Sequence, residues 1–503
     1  MSTLDPERRE LRTNEKTSDP EENITSQSAV LKPAEQTSNE KQPPINDKPL
    51  LRKIDLKLVP WVSLLYLISF LDRANIGNAK IEGLQEDLHL SDNQYNNCLT
   101  IFFVSYSIFE PVTNVLLKRF HPSIFIPIIM ILWGICMTSM GLVHNYSGLL
   151  TARWFLGLAE AGLFPGVSYM LSCWYKRSEV GIRLAVFFSA AAVAGSFGGL
   201  LAVGISKMAG VGGKPGWAWI FILEGLATIL VGIASFWMVP DFPREATFLS
   251  EKEKSRVIER LAEDQQGSAK HEDFKMAYFW ESLKDWKTYT SAMIYMGTDG
   301  ALFSFALFLP TIILELGYKS TTAQLLSVPP YVAAALMTIF IGYIADRTRK
   351  RGLCNIFVSL LGIIGFSMLL GSQNGSVKYA ATFLAAMGIY PPIANTISWV
   401  SNNTEGVYKR GISLGFVIGW GNLNGIVSAN IYRGHDKPRF ITGHSVVLAY
   451  LVVLLFGGSV LQHVLLRLEN ARRLSGKRNA WFELDSEKAK IRGDKRPDFI
   501  YTT

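Results

Sequence analysis

Four ionisable residues lie where this sequence is otherwise apolar. The run LVPWVSLLYLISFL, residues 58–71, leads directly into Asp72 and Arg73. Farther along, RWFLGLAEAGLFPG places Arg153 and Glu160 in a second apolar stretch. Charged groups at bilayer depth are costly and face a protein interior or a water-filled cavity. The residues therefore imply a helix bundle that encloses something polar. Arg153 and Glu160 are seven positions apart, so two helical turns stack them on one face about 10.5 Å apart. Gly157, Gly162 and Gly166 give that helix a close-packing surface. Counting helical rise puts Asp72 about 21 Å and Arg153 about 24 Å above the inner face of a core about 30 Å thick. Glu160 falls near the midplane. If the two helices share a cavity wall, the four residues form one cluster of zero formal charge. Protonating a carboxylate would then free an arginine for an anionic ligand, and the guanidinium fork suits a carboxylate. A purely structural buried ion pair is the alternative.

The elements that must hold these residues are membrane helices. Hydrophobic residues make up 49% of the 503, and the mean hydropathy is +0.20 despite long polar ends. Apolar runs of membrane-spanning length recur at about 58–78, 94–117, 124–143, 149–174, 183–205 and 217–239. Six more follow at about 289–315, 323–345, 354–370, 378–400, 411–432 and 445–466. The expected fold is an all-α polytopic membrane protein with twelve transmembrane helices in two six-helix bundles. The expected boundaries are a disordered cytoplasmic tail at 1–57, a bundle at 58–239, a cytoplasmic connector at 240–287, a bundle at 288–467 and a cytoplasmic tail at 468–503. Within the connector, Ser250 and Glu253 form a capping-box signature that opens a charged surface helix over 250–266. Arg52, Lys53, Lys118, Arg119, Lys176, Arg177, Lys409 and Arg410 mark one face as the inner one, with both termini on it.

Other polar residues inside these runs are candidates for binding or gating. Tyr66 and Ser69 share the helix face of Arg73. Glu110 and Asn114 are i,i+4 neighbours. Asn422 and Asn424 lie in the glycine-rich GWGNLNG, and Asn395 is a similar polar group one span earlier. Asp299 reads as a second proton site or a group near the inner interface, and Tyr295 and Phe303 could stack on an aromatic ring or serve packing. Asp346 can accept hydrogen bonds from Arg347, Arg351 or a neighbouring helix N-terminus, which reads as a gating or structural cluster. His144, His435 and His444 sit near helix ends and are expected to be solvated.

Several classes of function are excluded. Cys98, Cys136, Cys173 and Cys354 have neither paired nor metal-like spacing, so no disulfide and no zinc site is expected. There is no phosphate-binding glycine loop, nucleophile elbow, metal motif or cofactor signature, so no catalytic residues are assigned and no enzyme is expected. The net charge of +8 is spread over loops and tails, which fits an anionic leaflet rather than a nucleic acid. The sequons at Asn145 and Asn374 fall in short loops and are expected to stay unmodified.

GYIADRTRKR, residues 342–351, resembles the major facilitator signature G-x-x-x-D-R-x-G-R-R, with Arg349 in place of the glycine. The stretch from Glu110 to Arg119 resembles the F-E-x-P-S-N-x-x-x-K pattern of anion:cation symporters, with the proline one place early and Thr113 for serine. LDRANIGNA, RWFLGLAEAGLFPG, GWAWIFILEG, AEDQQ and WVSNNTEGVYKR are similar to the fungal allantoate permease family over residues 51–473. That family includes nicotinate, pantothenate, biotin and allantoate carriers. Ala218 stands where the family often has an arginine.

The resemblance implies proton-coupled uptake of a small organic anion, such as nicotinate or a related vitamin or ureide acid, by alternating access in a plasma membrane. It implies that Asp72 and Glu160 are protonation sites and that Arg73 and Arg153 bind the anion or pair with a carboxylate. Tyr66, Asn422 and Asn424 are further candidate substrate contacts; Asp346, Arg347, Arg351, Glu110 and Asn114 are candidate gating or structural residues. The partners expected are the anion, the proton and the bilayer, with the chain acting as a monomer. Two alternatives stand beside this reading: a nutrient sensor on the same fold, signalling through its tails, and an uncoupled facilitator of organic anions.

Overall fold

Apolar residues at helical spacing carry the first helix, α1 (Asp47–Ile81), back past the tail boundary expected at residue 57. Leu50, Ile54 and Leu58 recur every fourth position and are buried. The opposite flank is tied down by charge: Lys53 meets Glu253 at 2.8 Å, and Asp55 meets Arg183 at 2.8 Å. The computed structural model describes residues 47–263, 276–476, 493–496 and 499–503. The rest of the expected N-terminal tail, the connector stretch 264–275 with part of AEDQQ, and residues 477–492 lie outside the described residues.

The helices that follow are α2 (Asp92–Arg119), α3 (Pro122–Met140), α4 (Tyr146–Glu160), α5 (Leu163–Trp174), α6 (Arg177–Ser206) and α7 (Gly216–Met238). The connector contributes α8 (Glu251–Glu263) and α9 (Met276–Leu283). Then come α10 (Trp286–Leu314), α11 (Ser320–Thr348), α12 (Arg351–Gly371), α13 (Gly375–Ile389), α14 (Pro391–Asn402), α15 (Val407–Asn422) and α16 (Asn424–Ile431). The last stretch is α17 (Ile441–Ala449), a π-helical segment (Tyr450–Gly457) and α18 (Gly458–Leu474). The described residues contain no strand.

Local chemistry sets the starts and breaks. Ser91 caps α2: its hydroxyl accepts from the Gln94 amide at 3.3 Å, and the Gln94 side chain accepts from the Ser91 amide at 3.0 Å. Ser250 and Glu253 form the expected capping box. Asn145 and Asn374 cap α4 and α13 with their side-chain oxygens. The fourth expected span breaks between α4 and α5, where Pro165 has no N–H to give to the Ala161 carbonyl. Pro391 and Pro392 break the tenth span in the same way.

Nine helical stretches among the described residues are long and apolar enough to cross a membrane by length and composition. The remaining expected spans fall on the more polar α2 and on the broken pairs α4/α5 and α13/α14. The chain is an all-α, multi-pass membrane protein.

Close helix contacts depend on missing side chains. A Cβ on Gly134 or Gly225 would strike the backbone of the facing helix, so α3 and α7 pack at backbone distance. Helices from before and after the connector also meet. α6 lies against α11, with Gly342 on Ala185 and Gly195 on the Tyr331 ring. α2 lies against α15 and α16, where Asn430 donates to Thr100 at 2.9 Å. α10 is the central helix: 94% of its most apolar window is buried.

The C-terminal segment folds back onto the helices, and Asp494 and Tyr501 are buried against α10, α14, α15 and α18. One expectation needs correction. His444 is buried rather than solvated; its Nδ1 lies 3.0 Å from the Tyr432 hydroxyl, and aromatic rings surround it.

Candidate functional site

One face of α1 presents Tyr66, Ser69, Phe70 and Arg73, spaced by helical turns. The Arg73 guanidinium donates to Glu160 Oε1 at 2.7 Å, and the Ser69 hydroxyl lies 2.5 Å from the same oxygen. Glu160 Oε2 has no hydrogen-bond partner among the described residues. Glu160 ends α4, so the break after it places its carboxylate beside α1. Rings enclose the cation: the Arg73 Cζ lies 5.3 Å from the Phe102 centroid, 5.0 Å from Tyr106 and 5.7 Å from Phe303. Aromatic faces favour a cation while excluding water from it.

Arg73 borders a small cavity of about 10 Å³, room for about one water. Tyr66, Tyr106, Tyr295, Asp299 and Asn422 also line it. Tyr66 is held by stacking on Phe187 at 4.4 Å. The Asn422 side chain donates to Glu110 Oε2 at 3.0 Å, joining α15 to α2. The cavity is thus walled by helices from both sides of the connector.

The expected four-residue cluster is divided. Asp72 faces away from the cavity: one residue step turns a helix by about 100°. Its Oδ2 accepts from the Trp133 indole at 2.9 Å and the Thr228 hydroxyl at 2.8 Å, between α3 and α7. Arg153 is buried beside the cluster but makes no ion pair among the described residues. Its Nε and Nη1 lack hydrogen-bond partners among the described residues, and its Cζ lies 5.4 Å from Phe102, the ring that also meets Arg73. Glu160 is held by α1 instead.

Asn424 also departs from expectation. It bonds to the Tyr450 hydroxyl at 3.0 Å and to the Trp420 carbonyl at 3.1 Å, not to the cavity. At the end of α11, Asp346 pairs with Arg351 and accepts from the Ile182 amide in α6 at 2.6 Å. Arg347 instead bonds Tyr343 in its own helix at 2.9 Å. Asn395 braces Arg351, accepting from Nη1 at 3.1 Å and donating to the backbone oxygen at 2.8 Å. The Asn114 side chain lies outside the described residues.

Sequence reasoning missed the polar seam behind the cavity, formed by Trp133, Thr228, Asn75 and Glu224. Asn75 bonds Glu224, whose Oε1 has no hydrogen-bond partner among the described residues. The signal was an acidic residue within the apolar GWAWIFILEG and a second polar residue three positions after Asp72. No disulfide joins the four cysteines among the described residues. Among the described residues, one group, His121, Asp241 and Glu245, brings possible metal ligands within 4.8 Å of one another. It is a surface cluster in which His121 Nδ1 already lies 3.1 Å from Glu245.

A buried arginine on a small cavity, neutralised by one carboxylate, can exchange that partner for a ligand's anionic group. Adding a proton to the carboxylate would weaken its hold and favour the exchange.

Residues 62–429 match the Major Facilitator Superfamily. The high-affinity nicotinic acid transporter of Saccharomyces cerevisiae is 35% identical over 428 residues, covering 85% of this chain and 79% of the relative. An uncharacterised transporter of Schizosaccharomyces pombe is 38% identical over 405 residues, covering 78% and 79%. Among solved structures, the proton:xylose symporter XylE superposes with a TM-score of 0.61 at 14% identity, covering 88% of this chain and 99% of that one. A bacterial Spinster homologue gives 0.57 at 15% identity, covering 81% and 96%. These structures share the fold. Given the match and the relatives, the chain belongs to the Major Facilitator Superfamily, and it is a membrane transporter rather than an enzyme.

Proposed function

We propose that this transporter takes up a small organic anion together with protons, and that it belongs to the fungal allantoate permease branch of the anion:cation symporters. The observation that carries the proposal is the Arg73 guanidinium on the cavity, held at 2.7 Å by Glu160, which can give it up on protonation. The carboxylate of the substrate replaces Glu160 on Arg73. Asp72, buried between Trp133 and Thr228, is the second proton carrier. The two six-helix halves, 58–239 and 288–467, rock about the cavity, and the Asp346–Arg351–Ile182 contact holds one closed end. Support for a pyridine carboxylate comes from the nicotinic acid transporter relative. The protein acts as a monomer in the plasma membrane with both termini in the cytoplasm.

Uptake of radiolabelled nicotinate into proteoliposomes, with a panel of competing carboxylates at two external pH values, tests this. Accumulation should rise with an inward proton gradient, carboxylates should compete, and Arg73→Gln should abolish both effects. Accumulation that ignores the gradient, or competition that survives the loss of Arg73, would sink the proposal.

A further inference from the structure

Asp299 is a second buried acid on the cavity, on the wall that α10 contributes. Tyr295, Asp299, Leu302 and Phe303 lie on one face of α10, and all border the cavity. Asp299 is 3% exposed, and its Oδ2 has no hydrogen-bond partner among the described residues. No lysine, arginine or histidine among the described residues forms an ion pair with it. Gly421 leaves room for the carboxyl, since a Cβ there would lie 2.7 Å from Oδ2.

The charges around the cavity are therefore unequal. Of the charged residues that line it, Arg73 is matched by Glu160, and Asp299 has no ion pair among the described residues. A simple carboxylate ligand would satisfy Arg73 and add negative charge facing Asp299. A buried polar group left unmatched costs affinity, whereas a charge-assisted hydrogen bond to it adds affinity. The same wall carries Phe303, whose ring already faces Arg73 at 5.7 Å, so the space between the two poles is aromatic.

We infer that Asp299 is a specificity residue for the opposite pole of the ligand, and that the substrate is amphoteric: a carboxylate for Arg73 and a basic nitrogen for Asp299. This rests on the anion role proposed for Arg73 and adds the second contact. One proton lies between the ligand nitrogen and the Asp299 carboxyl. An ammonium or pyridinium donates to the carboxylate, or a protonated carboxyl donates to a ring nitrogen. The Phe303 and Tyr106 rings beside Arg73 offer faces on which a flat nitrogen heteroaromatic acid would stack once the cavity widens to admit it.

The test uses the full chain in proteoliposomes and two probe pairs that differ by the nitrogen alone. These are nicotinate against benzoate, and γ-aminobutyrate against butyrate. In the parent protein at least one nitrogen-bearing member should bind about tenfold or more tightly than its partner, as expected for one charge-assisted hydrogen bond. Asp299→Asn should lower binding of that member about tenfold and of its partner by less than about twofold. Equal binding within both pairs by the parent protein overturns the inference while leaving the anion role of Arg73 intact. So does a loss in Asp299→Asn that is the same for both members. If no carboxylate binds at all, the anion reading fails and this inference falls with it. The comparison within the parent protein needs no variant, so it decides even if Asp299→Asn does not fold.

Discussion

Asp72 and Arg73 are joined by one peptide bond and serve different polar environments. Arg73 turns to Glu160 and the cavity, while Asp72 turns to Trp133 and Thr228 between α3 and α7. A proton on Asp72 would weaken its hydrogen bonds to Trp133 and Thr228, which tie α1 to α3 and α7, without contacting the ligand. Asp72→Asn keeps an oxygen for both donors and removes the titrating group. Accumulation driven by a pH gradient should be lost, while exchange of internal for external substrate, which needs no net proton movement, should persist. Uptake and exchange measured on the same proteoliposomes give both numbers. If Asp72→Asn accumulates substrate like the parent at every pH, this role is wrong.

The Arg73–Glu160 pair makes a stability prediction. Both side chains are nearly inaccessible, at 8% and 1% exposure, so removing either leaves the other charged and buried. Arg73→Ala or Glu160→Ala alone should destabilise by about 3–5 kcal/mol, and the double variant should cost less than the sum. Thermal unfolding in detergent checks this. Additive losses would mean that the two groups are stabilised separately, for example Arg73 by the rings of Phe102 and Tyr106.

How much of this was legible is clear from the same helix. Periodicity placed Tyr66, Ser69 and Arg73 on one face, because that relation is internal to α1. The side of Asp72 depended on which helices pack there, and a single span does not encode its neighbours. Arg153 and Glu160 share a helix face as the spacing required, yet Ser69 and Arg73 bind Glu160 first. The early start of α1 was written in Leu50, Ile54 and Leu58, but the charges between them looked like an inner-face anchor. The docking of the C-terminal segment, and the burial of His444, rest on contacts between distant parts of the chain. Local pattern cannot supply these.

Asp346 links α11 to α6 across the two sides of the connector. It pairs with Arg351, which is buried, and accepts the Ile182 amide at 2.6 Å. Asp346→Ala removes both bonds, so that end of the α6–α11 contact should open more readily. Distances between spin labels on exposed positions of α6 and α11 should broaden, and turnover should fall about tenfold or more. Arg347→Ala should have the smaller effect, because Arg347 bonds only to Tyr343 within α11. Equal effects from the two substitutions would mean that the Asp346 link between helices is not what holds this end.

The docked C-terminal segment carries its own pH signature. Asp494 accepts from Lys287 and from Lys409, each at 2.7 Å, and the Thr502 carbonyl accepts from Trp399 and Asn403, each at 2.8 Å. Burial pushes the Asp494 carboxyl upward, but the ammonium groups of Lys287 and Lys409 outweigh it and hold it at about 2. Its folded value lies below the ordinary one, so its contribution is present above about pH 4 and is lost as the pH falls towards 2. The contribution is on the order of 2 kcal/mol. Asp494→Asn should therefore unfold at a lower temperature than the parent at pH 7, and the gap should narrow between pH 4 and pH 3. Removing residues 493–503 should cost at least as much, because Arg473 also loses the Tyr501 hydroxyl at 2.7 Å. A gap that stays constant down to pH 3 would show that the two lysines do not draw their stabilisation from this carboxylate.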